Sequence, residues 1–249
     1  GVGVGEHEKR ERGKGGEGLE LSIDTSTRFA GVALSHQGDP LAEVVWRADY
    51  SHTRDLAPTV EALLTGRGAR WRDITAVFVA LGPGGFTALR TGLAFAKGLA
   101  LAGGIPLIGI GTLEVEASPY QALGLPLCPL LDMGRDEVAF ALFTPTGEGL
   151  RFAEPERLLP ISDLPHHLTP PVLVCGEGAW ALAGRLTNLP QGIQVAAVPP
   201  PTRRPITLAR LGYQRLRQGR RDDVSTPQPL YLRRPSTTLK SSAGKEGLP

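Results

Sequence analysis

Two aspartates each follow an apolar run that is typical of a buried strand. Asp24 ends the run that begins at Leu19, and Asp132 follows Leu130-Leu131 in the second half of the chain. Ligands of open α/β sheets gather at the carboxyl ends of strands, so two such carboxylates facing one cleft could hold a metal-nucleotide or activate a water. The alternative is that each Asp accepts backbone N–H bonds in its own turn.

A glycine-rich loop, Gly82-Pro83-Gly84-Gly85-Phe86-Thr87, opens a segment with helical character. Free backbone N–H groups in such a loop can cradle a phosphate. The loop lacks the Gly-Lys-Ser/Thr ending of a P-loop and does not match the dinucleotide-binding fingerprint. Its glycines could instead allow a sharp turn between a strand and a helix.

Other kinds of catalytic site find little support in the sequence. The five histidines form no pair at i and i+4, and no Gly-x-Ser-x-Gly elbow is present. The two cysteines, Cys128 and Cys175, lie in apolar runs and are expected to be buried core residues rather than a disulfide framework. A reducing cytosol is therefore the expected compartment.

The elements that must position these residues follow from the hydrophobic pattern. A strand-rich start is followed by alternating helices and strands, which implies a mixed sheet with parallel members. The second half begins like the first, since Ile23-Asp24 and Ala33-Leu34 recur as Leu131-Asp132 and Ala141-Leu142 at one common spacing. This repeat predicts two similar lobes, a duplicated ribonuclease-H-like fold. The predicted strands are 19–23, 29–35, 41–46, 76–80, 105–110, 172–175 and 193–198, and the predicted helices are 54–64, 87–103, 112–123 (with Thr112 as N-cap), 179–186 and 207–217.

The predicted helix 87–103 is rich in glycine and alanine, which would let another helix approach closely. Together with the helix 54–64 it could form a face for a partner protein. Ordinary packing of both helices on the sheet explains the same pattern.

Charge is distributed unevenly along the chain. The net charge is +2, but Thr202 to Pro249 holds 11 Lys and Arg against 3 Asp and Glu. This basic end could face an anionic partner such as tRNA or an acidic protein, or it could be a solvated helix face and tail. The start, Gly1 to Gly18, lacks the apolar middle of a signal peptide and is expected to be disordered or a tag remnant. No apolar run reaches the roughly 18 residues that a membrane span needs.

The longest distinctive motif is the run from Gly82 to Ala100, which begins Gly-Pro-Gly-Gly-Phe-Thr-Ala-Leu-Arg-Thr-Gly. It resembles the signature of the TsaB (YeaZ) family, which typically reads Gly-Pro-Gly-Ser-Phe-Thr-Gly-Leu-Arg-Ile-Gly. Gly85 and Ala88 depart from that pattern. The following pieces also match in order: Ile23-Asp24-Thr25-Ser26, Ser51-His52, Gly104-Ile105-Pro106-Leu107, Leu130-Leu131-Asp132 and Tyr231-Leu232-Arg233.

The resemblance implies the fold of the actin/Hsp70/sugar-kinase (ASKHA) group. The expected domains are a disordered tail at 1–18, an N-terminal lobe at 19–123, a C-terminal lobe at 124–235 and a second disordered tail at 236–249. In function it implies a cytoplasmic, non-catalytic scaffold of the complex that forms threonylcarbamoyladenosine next to the tRNA anticodon.

The implied partners are a TsaD-like catalytic subunit, a TsaE-like ATPase and a second copy of the chain when alone, with tRNA met only through the complex. ATP and metal would be used by the partner subunits, and no cofactor would be bound strongly by this chain alone. The competing hypotheses are an ATP-dependent small-molecule kinase of the same superfold and a metallopeptidase, which the missing histidine pair argues against.

The resemblance also groups the candidate site residues into two sets. The expected partner interface comprises Leu56, Val60, Leu63, Leu89, Leu93, Ala96, Lys97 and Ala100. The expected vestigial nucleotide site comprises Asp24, Gly82, Gly84, Gly85, Thr87 and Asp132.

Overall fold

The computed structural model of the chain describes residues 18–49, 51–222 and 227–232. Apart from Gly18, the two predicted disordered tails lie outside these residues.

The first sheet is built from the N-terminal half of the chain. Its order is β3-β2-β1-β4-β5, with β1 antiparallel to β2 and parallel to β4, and β4 parallel to β5. Three strands in a meander followed by two parallel strands match the predicted alternation of elements. The strands are β1 (Leu19–Asp24), β2 (Phe29–His36), β3 (Asp39–Arg47), β4 (Ile74–Ala80) and β5 (Leu107–Ile110).

The second sheet repeats the topology of the first. Its order is β10-β9-β6-β7-β8, so β6 takes the place of β1 and its antiparallel neighbour β7 takes the place of β2. This repetition confirms the predicted pair of ribonuclease-H-like lobes and the ASKHA-like α/β fold class. The strands are β6 (Leu127–Asp132), β7 (Glu137–Thr146), β8 (Gly149–Pro160), β9 (Val172–Cys175) and β10 (Ile193–Val195).

The helices differ in length between the two lobes. The first lobe has long helices between its strands, whereas the helices of the second lobe are single turns. The helices are α1 (His52–Gly66), α2 (Phe86–Gly103), α3 (Thr112–Ala117), α4 (Leu164–His167), α5 (Glu177–Ala181) and α6 (Pro205–Arg217). Short 3-10 turns lie at Trp71–Asp73, Ser118–Leu123, Ile161–Asp163 and Ala183–Arg185.

Both faces of the first sheet are covered by helices. Side chains alternate along β4, so Val77 and Val79 face α1 and α2 while Phe78 faces α6. Because both of its faces are buried, β4 reads as a continuous apolar run rather than an alternating one. This layering explains why the run from Ala76 to Ala80 was recognisable in the sequence.

The position of α6 shows that the predicted domain boundary is wrong for this helix. The sequence predicts that α6 belongs to a C-terminal lobe at 124–235, but Leu208 packs with Phe78 in the core of the first lobe. A Cβ at Gly212 would overlap the Phe78 ring, so α6 lies close against β4. The segment 227–232 also returns to the first lobe, where the Leu230 N–H donates to the carbonyl of Leu81 at 2.7 Å. An amphipathic pattern shows that a helix packs on a sheet, but not on which one.

The start of α3 also differs from the prediction. Thr112 is the first helical residue, and Gly111 occupies the N-cap position. The Thr112 hydroxyl instead accepts the Gly82 N–H at 3.0 Å and shares a hydrogen bond with Ser26. Leu113 and Val115 belong to the cores of different lobes, so α3 joins the two lobes.

The two cysteines lie where the sequence placed them. Cys128 and Cys175 are buried free thiols in the central strands of the second sheet. Burial raises the pKa of both thiols, which keeps them protonated and unreactive.

Candidate functional site in the cleft between the lobes

The carboxyl ends of β1 and β6 open onto one cleft between the lobes. Its volume is about 360 Å³, within the range of small-molecule sites. The first lobe contributes the turn after β1 and the glycine-rich loop, and the second contributes the end of β6 and the start of α5. The lining residues are Ser26, Thr27, Arg28, Gly84, Gly85, Leu131, Asp132, Met133, Glu177 and Ala181.

The guanidinium of Arg203 lies behind this cleft and holds Asp24. Arg203 Nε donates to Asp24 Oδ2 at 2.9 Å, while the Ser26 N–H donates to Asp24 Oδ1 at 2.8 Å. Both oxygens of Asp24 are therefore engaged, and its side chain is 5% exposed. Asp24 thus combines a turn-capping bond with a buried ion pair.

Two further carboxylates share the same guanidinium. Arg203 Nη1 donates to Glu116 Oε1 at 2.7 Å and to Glu177 Oε2 at 3.1 Å, and Nη2 donates to the Thr27 hydroxyl at 2.7 Å. We call Arg203, Asp24, Thr27, Glu116 and Glu177 the Arg203 cluster. It joins the first lobe, the bridging helix α3 and the second lobe at one point.

Burial and neighbouring charges act in opposite directions on the pKa values of Glu116 and Arg203. Burial raises the pKa of Glu116 and outweighs the attraction of Arg203. Burial also acts to lower the pKa of Arg203, but the carboxylates of Asp24, Glu116 and Glu177 outweigh it and raise that pKa, so the guanidinium stays charged. Glu116 Oε1 accepts several hydrogen bonds, whereas Oε2 is buried without a partner among the described residues.

The glycine-rich loop packs against the turn after β1. A Cβ at Gly84 would overlap the carbonyl oxygen of Ser26, and the Gly85 N–H donates to that same carbonyl at 2.8 Å. The N–H of Gly82 is also taken, by Thr112. Close approach of two backbones therefore accounts for Gly84, and the Gly82 and Gly85 N–H groups are not free to cradle a phosphate.

The predicted nucleotide residues are only partly brought together. Gly84, Gly85 and Asp132 line the cleft, and Asp24 lies beneath it in the Arg203 cluster. Asp132 is exposed, and its Oδ1 accepts the Gly134 N–H at 2.8 Å. Gly82 is buried away from the cleft, and Thr87 lines a different pocket at the start of α1 and α2.

The predicted partner-interface residues require a correction. Seven of the eight are buried inside the first lobe, because their side chains form the layer between the sheet and the two helices, and Lys97 alone is half-exposed. The assignment is wrong for these seven residues, since the apolar stripe of each helix faces its own sheet. The buried seven are Leu56, Val60, Leu63, Leu89, Leu93, Ala96 and Ala100.

A different set of residues forms the outward side of these helices. On α2, Ala94, Gly98 and Leu101 are exposed at helical spacing, and the Leu101 side chain is 69% exposed. A Cβ at Gly98 would meet no atom within 4 Å. On the neighbouring α1, Ala57 and Pro58 are exposed. We call this surface the outer α1/α2 face.

Of the five members of the Arg203 cluster, sequence reasoning selected Asp24 and missed the other four, including Thr27. Glu116, Glu177 and Arg203 occur in separate segments without a recognisable motif, and Arg203 is 179 residues from Asp24. The one available signal was Glu116, a carboxylate that lies between Val115 and Ala117 in the short helix α3.

Two searches of the described residues were negative. Residues 18–49, 51–222 and 227–232 contain no group of three His, Cys, Asp or Glu side chains arranged to hold a metal ion. None of the helices within these ranges has the length and apolar character required to cross a membrane.

Comparison with known families gives a consistent result. Residues 46–184 match the family model described as TsaD, tRNA N6-adenosine threonylcarbamoyltransferase. This match covers the second half of the first lobe and most of the second lobe.

Individual relatives cover different shares of the chain. The tRNA threonylcarbamoyladenosine biosynthesis protein TsaB of Escherichia coli is 39% identical over 97 residues, which are 39% of this chain and 42% of that protein. An uncharacterized protein of Mycobacterium tuberculosis is 32% identical over 166 residues, covering 63% of this chain and 77% of that protein. The chain thus spans less than half of the Escherichia coli protein that it matches.

A solved structure covers more of the chain. YeaZ from Pseudomonas aeruginosa has a TM-score of 0.71 and is 26% identical, covering 86% of this chain and 100% of that chain.

Proposed function

We propose a function from one premise: the chain belongs to the TsaB (YeaZ) family, within the wider group that the TsaD model describes. We infer that it takes part in the formation of threonylcarbamoyladenosine in tRNA. In this proposal it is a cytoplasmic, non-catalytic subunit that pairs with and activates a TsaD-like catalytic subunit. A TsaE-like ATPase joins the complex, and the chain forms a homodimer when no partner is present.

The Arg203 cluster is the observation that supports a non-catalytic role. A carboxylate at the end of β1 could serve a metal-nucleotide only if its oxygens were free to face the cleft. Asp24 is instead held by Arg203 and by its own turn, and it is almost completely buried. The cleft therefore has no free carboxylate from the first lobe. Of the carboxylates that line it, Asp132 is exposed and Glu177 is bound to Arg203.

The kinase of the same superfold is the second candidate. The volume of the cleft and the exposure of Asp132 favour it. The engagement of Asp24 and of the Gly85 N–H favours the non-catalytic role more strongly, because neither group is free to contact a nucleotide phosphate or its metal ion.

The outer α1/α2 face is the proposed docking surface for the catalytic subunit. Its small side chains, Ala57, Ala94 and Gly98, allow the backbone of a partner helix to approach closely. Leu101 adds an exposed apolar side chain that a partner would bury. Because the space beside Gly98 is open, nothing in the described part of the chain requires a glycine there.

The experiment is the substitution Gly98→Leu, followed by co-purification with the TsaD-like subunit of the same organism. Leucine is the better helix former by roughly 0.8 to 1 kcal/mol, so the variant should fold at least as well as the original chain. The larger side chain should hold a partner helix away and weaken the complex at least tenfold, which corresponds to about 1.4 kcal/mol.

Gly184→Leu is the matched control, since Gly184 is also exposed with no atom near its Cβ position but lies in the second lobe. This control should bind the partner normally. If Gly98→Leu binds as tightly as the control, the docking surface is elsewhere.

A further inference from the structure

The outward side of α6 carries a row of basic side chains. Arg210, Gln214 and Arg217 are spaced four and three residues apart, which places them on one side of the helix. Arg221 follows four residues later, just beyond the helix end. All four are exposed, and the three arginines have no ion-pair partner among the described residues.

A groove runs along each side of this row. The groove of about 440 Å³ lies against the β2–β3 turn of the first lobe, and Tyr213 forms part of its wall. The groove of about 410 Å³ lies against the β7–β8 turn of the second lobe and adds Arg151 and Arg220. Gln214 lines both grooves and donates to the carbonyl of Glu148 at 2.8 Å. The row therefore forms a ridge that spans the two lobes, and we call it the α6 ridge.

Positive charge exceeds negative charge around the ridge. Of the acidic residues there, Glu114 is paired with Arg215, and Asp222 accepts the Gly109 N–H. Asp39 and Glu148 remain, against five exposed arginines: Arg151, Arg210, Arg217, Arg220 and Arg221. Cations near a helix C-terminus are favoured by the helix dipole. The helix dipole accounts for the presence of a cation at Arg217, near the end of α6. It does not account for Arg210 in the middle of α6 or for Arg151 on the other lobe.

We propose that the α6 ridge binds the phosphate backbone of RNA. Arginine and glutamine with an adjacent tyrosine suit phosphate, sugar and base contacts. Arginine and tyrosine also occur at protein–protein interfaces, where they are usually set among apolar side chains that exclude water. Yet the large apolar side chains that are exposed within the described residues, such as Leu101, Phe152 and Trp180, do not line these grooves.

This inference goes beyond the proposed function, in which the chain meets tRNA only through its partner. It concerns the isolated chain, so it can fail while the proposed function holds, and the reverse is also true.

The test measures binding of the full chain to an unmodified tRNA transcript by fluorescence anisotropy, at salt concentrations from about 50 to about 300 mM. The variant R210Q/R217Q/R221Q removes three charges from the ridge. The matched control R67Q/R70Q/R72Q removes three exposed charges between the end of α1 and the start of β4.

We expect the chain to bind RNA with a strong salt dependence. Each lost phosphate contact lowers the slope of log K against log salt by about 0.7 to 0.9, so the ridge variant should lose roughly two units of slope and the control almost none. The proposal is overturned if the chain binds no RNA at the lowest salt or if both variants lose the same affinity. It is also overturned if polyglutamate binds the ridge and displaces RNA at equal charge concentration, which would indicate an acidic protein partner.

Discussion

Arg203 contacts charged or polar groups from three separate stretches of the described chain, and its side chain is 3% exposed. Removing one member of a buried ion-paired group leaves the other charges without compensation, which costs more than the pair itself contributes. Because three carboxylates surround this one cation, we expect Arg203 to contribute more to the free energy of unfolding than an arginine in a surface ion pair.

Arg203→Met should therefore lower the free energy of unfolding by about 3 to 5 kcal/mol, measured by urea denaturation at neutral pH. Arg204→Met is the control, because Arg204 is 59% exposed and pairs with Glu43 at the surface. It should cost less than about 1 kcal/mol. Equal losses in the two variants would show that the cluster has no special role in stability.

At the residue scale the sequence predicted the acidic positions but not their environment. Asp24 and Asp132 were recognisable because each ends an apolar run. The partner of Asp24 was not, since Arg203 reaches it through tertiary packing of segments that no local pattern connects. Asp132 accepts a backbone N–H bond in its own turn, as the turn-capping alternative predicted. Asp24 does so too, but it also forms an ion pair with Arg203 that this alternative did not include.

At the scale of elements, the close packing of α6 against β4 can be tested directly. Phe78 packs directly against Gly212, where a Cβ would overlap the ring. Overpacking of a well-packed core typically costs about 1 to 3 kcal/mol.

Gly212→Ala should accordingly lower the midpoint of thermal unfolding, although alanine is intrinsically the better helix former. Gly66→Ala in α1 is the control, because its Cβ position is open. It should be neutral or raise the midpoint. A Gly212→Ala variant as stable as this control would contradict the assignment of α6 to the first lobe.

The hydrophobic pattern predicted most of the strands and helices, but two predictions about their arrangement were wrong. These were the lobe to which α6 belongs and the side of α1 and α2 that could face a partner. The small-residue helix α2 and the strands β1 to β5 were expected close to their observed bounds. The interface prediction was wrong for its apolar members because the stripe that identifies a helix is the side that its own sheet buries. The exposed side, with Gly98 and Leu101, carries little periodic signal.

At the scale of the whole molecule, the two lobes share the topology of their sheets but differ in their helices. Equivalent strands place Asp24 and Asp132 at one cleft, and the repeat was visible in the sequence. The lobes differ in their helices: α1 and α2 have 15 and 18 residues, whereas α4 and α5 have 4 and 5. Within the described residues, the long helices α1 and α2 that could present a surface to a partner therefore belong to the first lobe.

The central claim is that this chain serves a TsaD-like catalytic subunit without carrying out the chemistry itself. The most direct measurement is threonylcarbamoyladenosine formation on tRNA by the reconstituted subunits, with this chain present, absent, or replaced by Gly98→Leu or by the control Gly184→Leu. The account predicts activity only when the catalytic subunit and the original chain are both present, with a large loss for Gly98→Leu and none for Gly184→Leu. Undiminished activity without this chain, or product formed by this chain without the catalytic subunit, would contradict it.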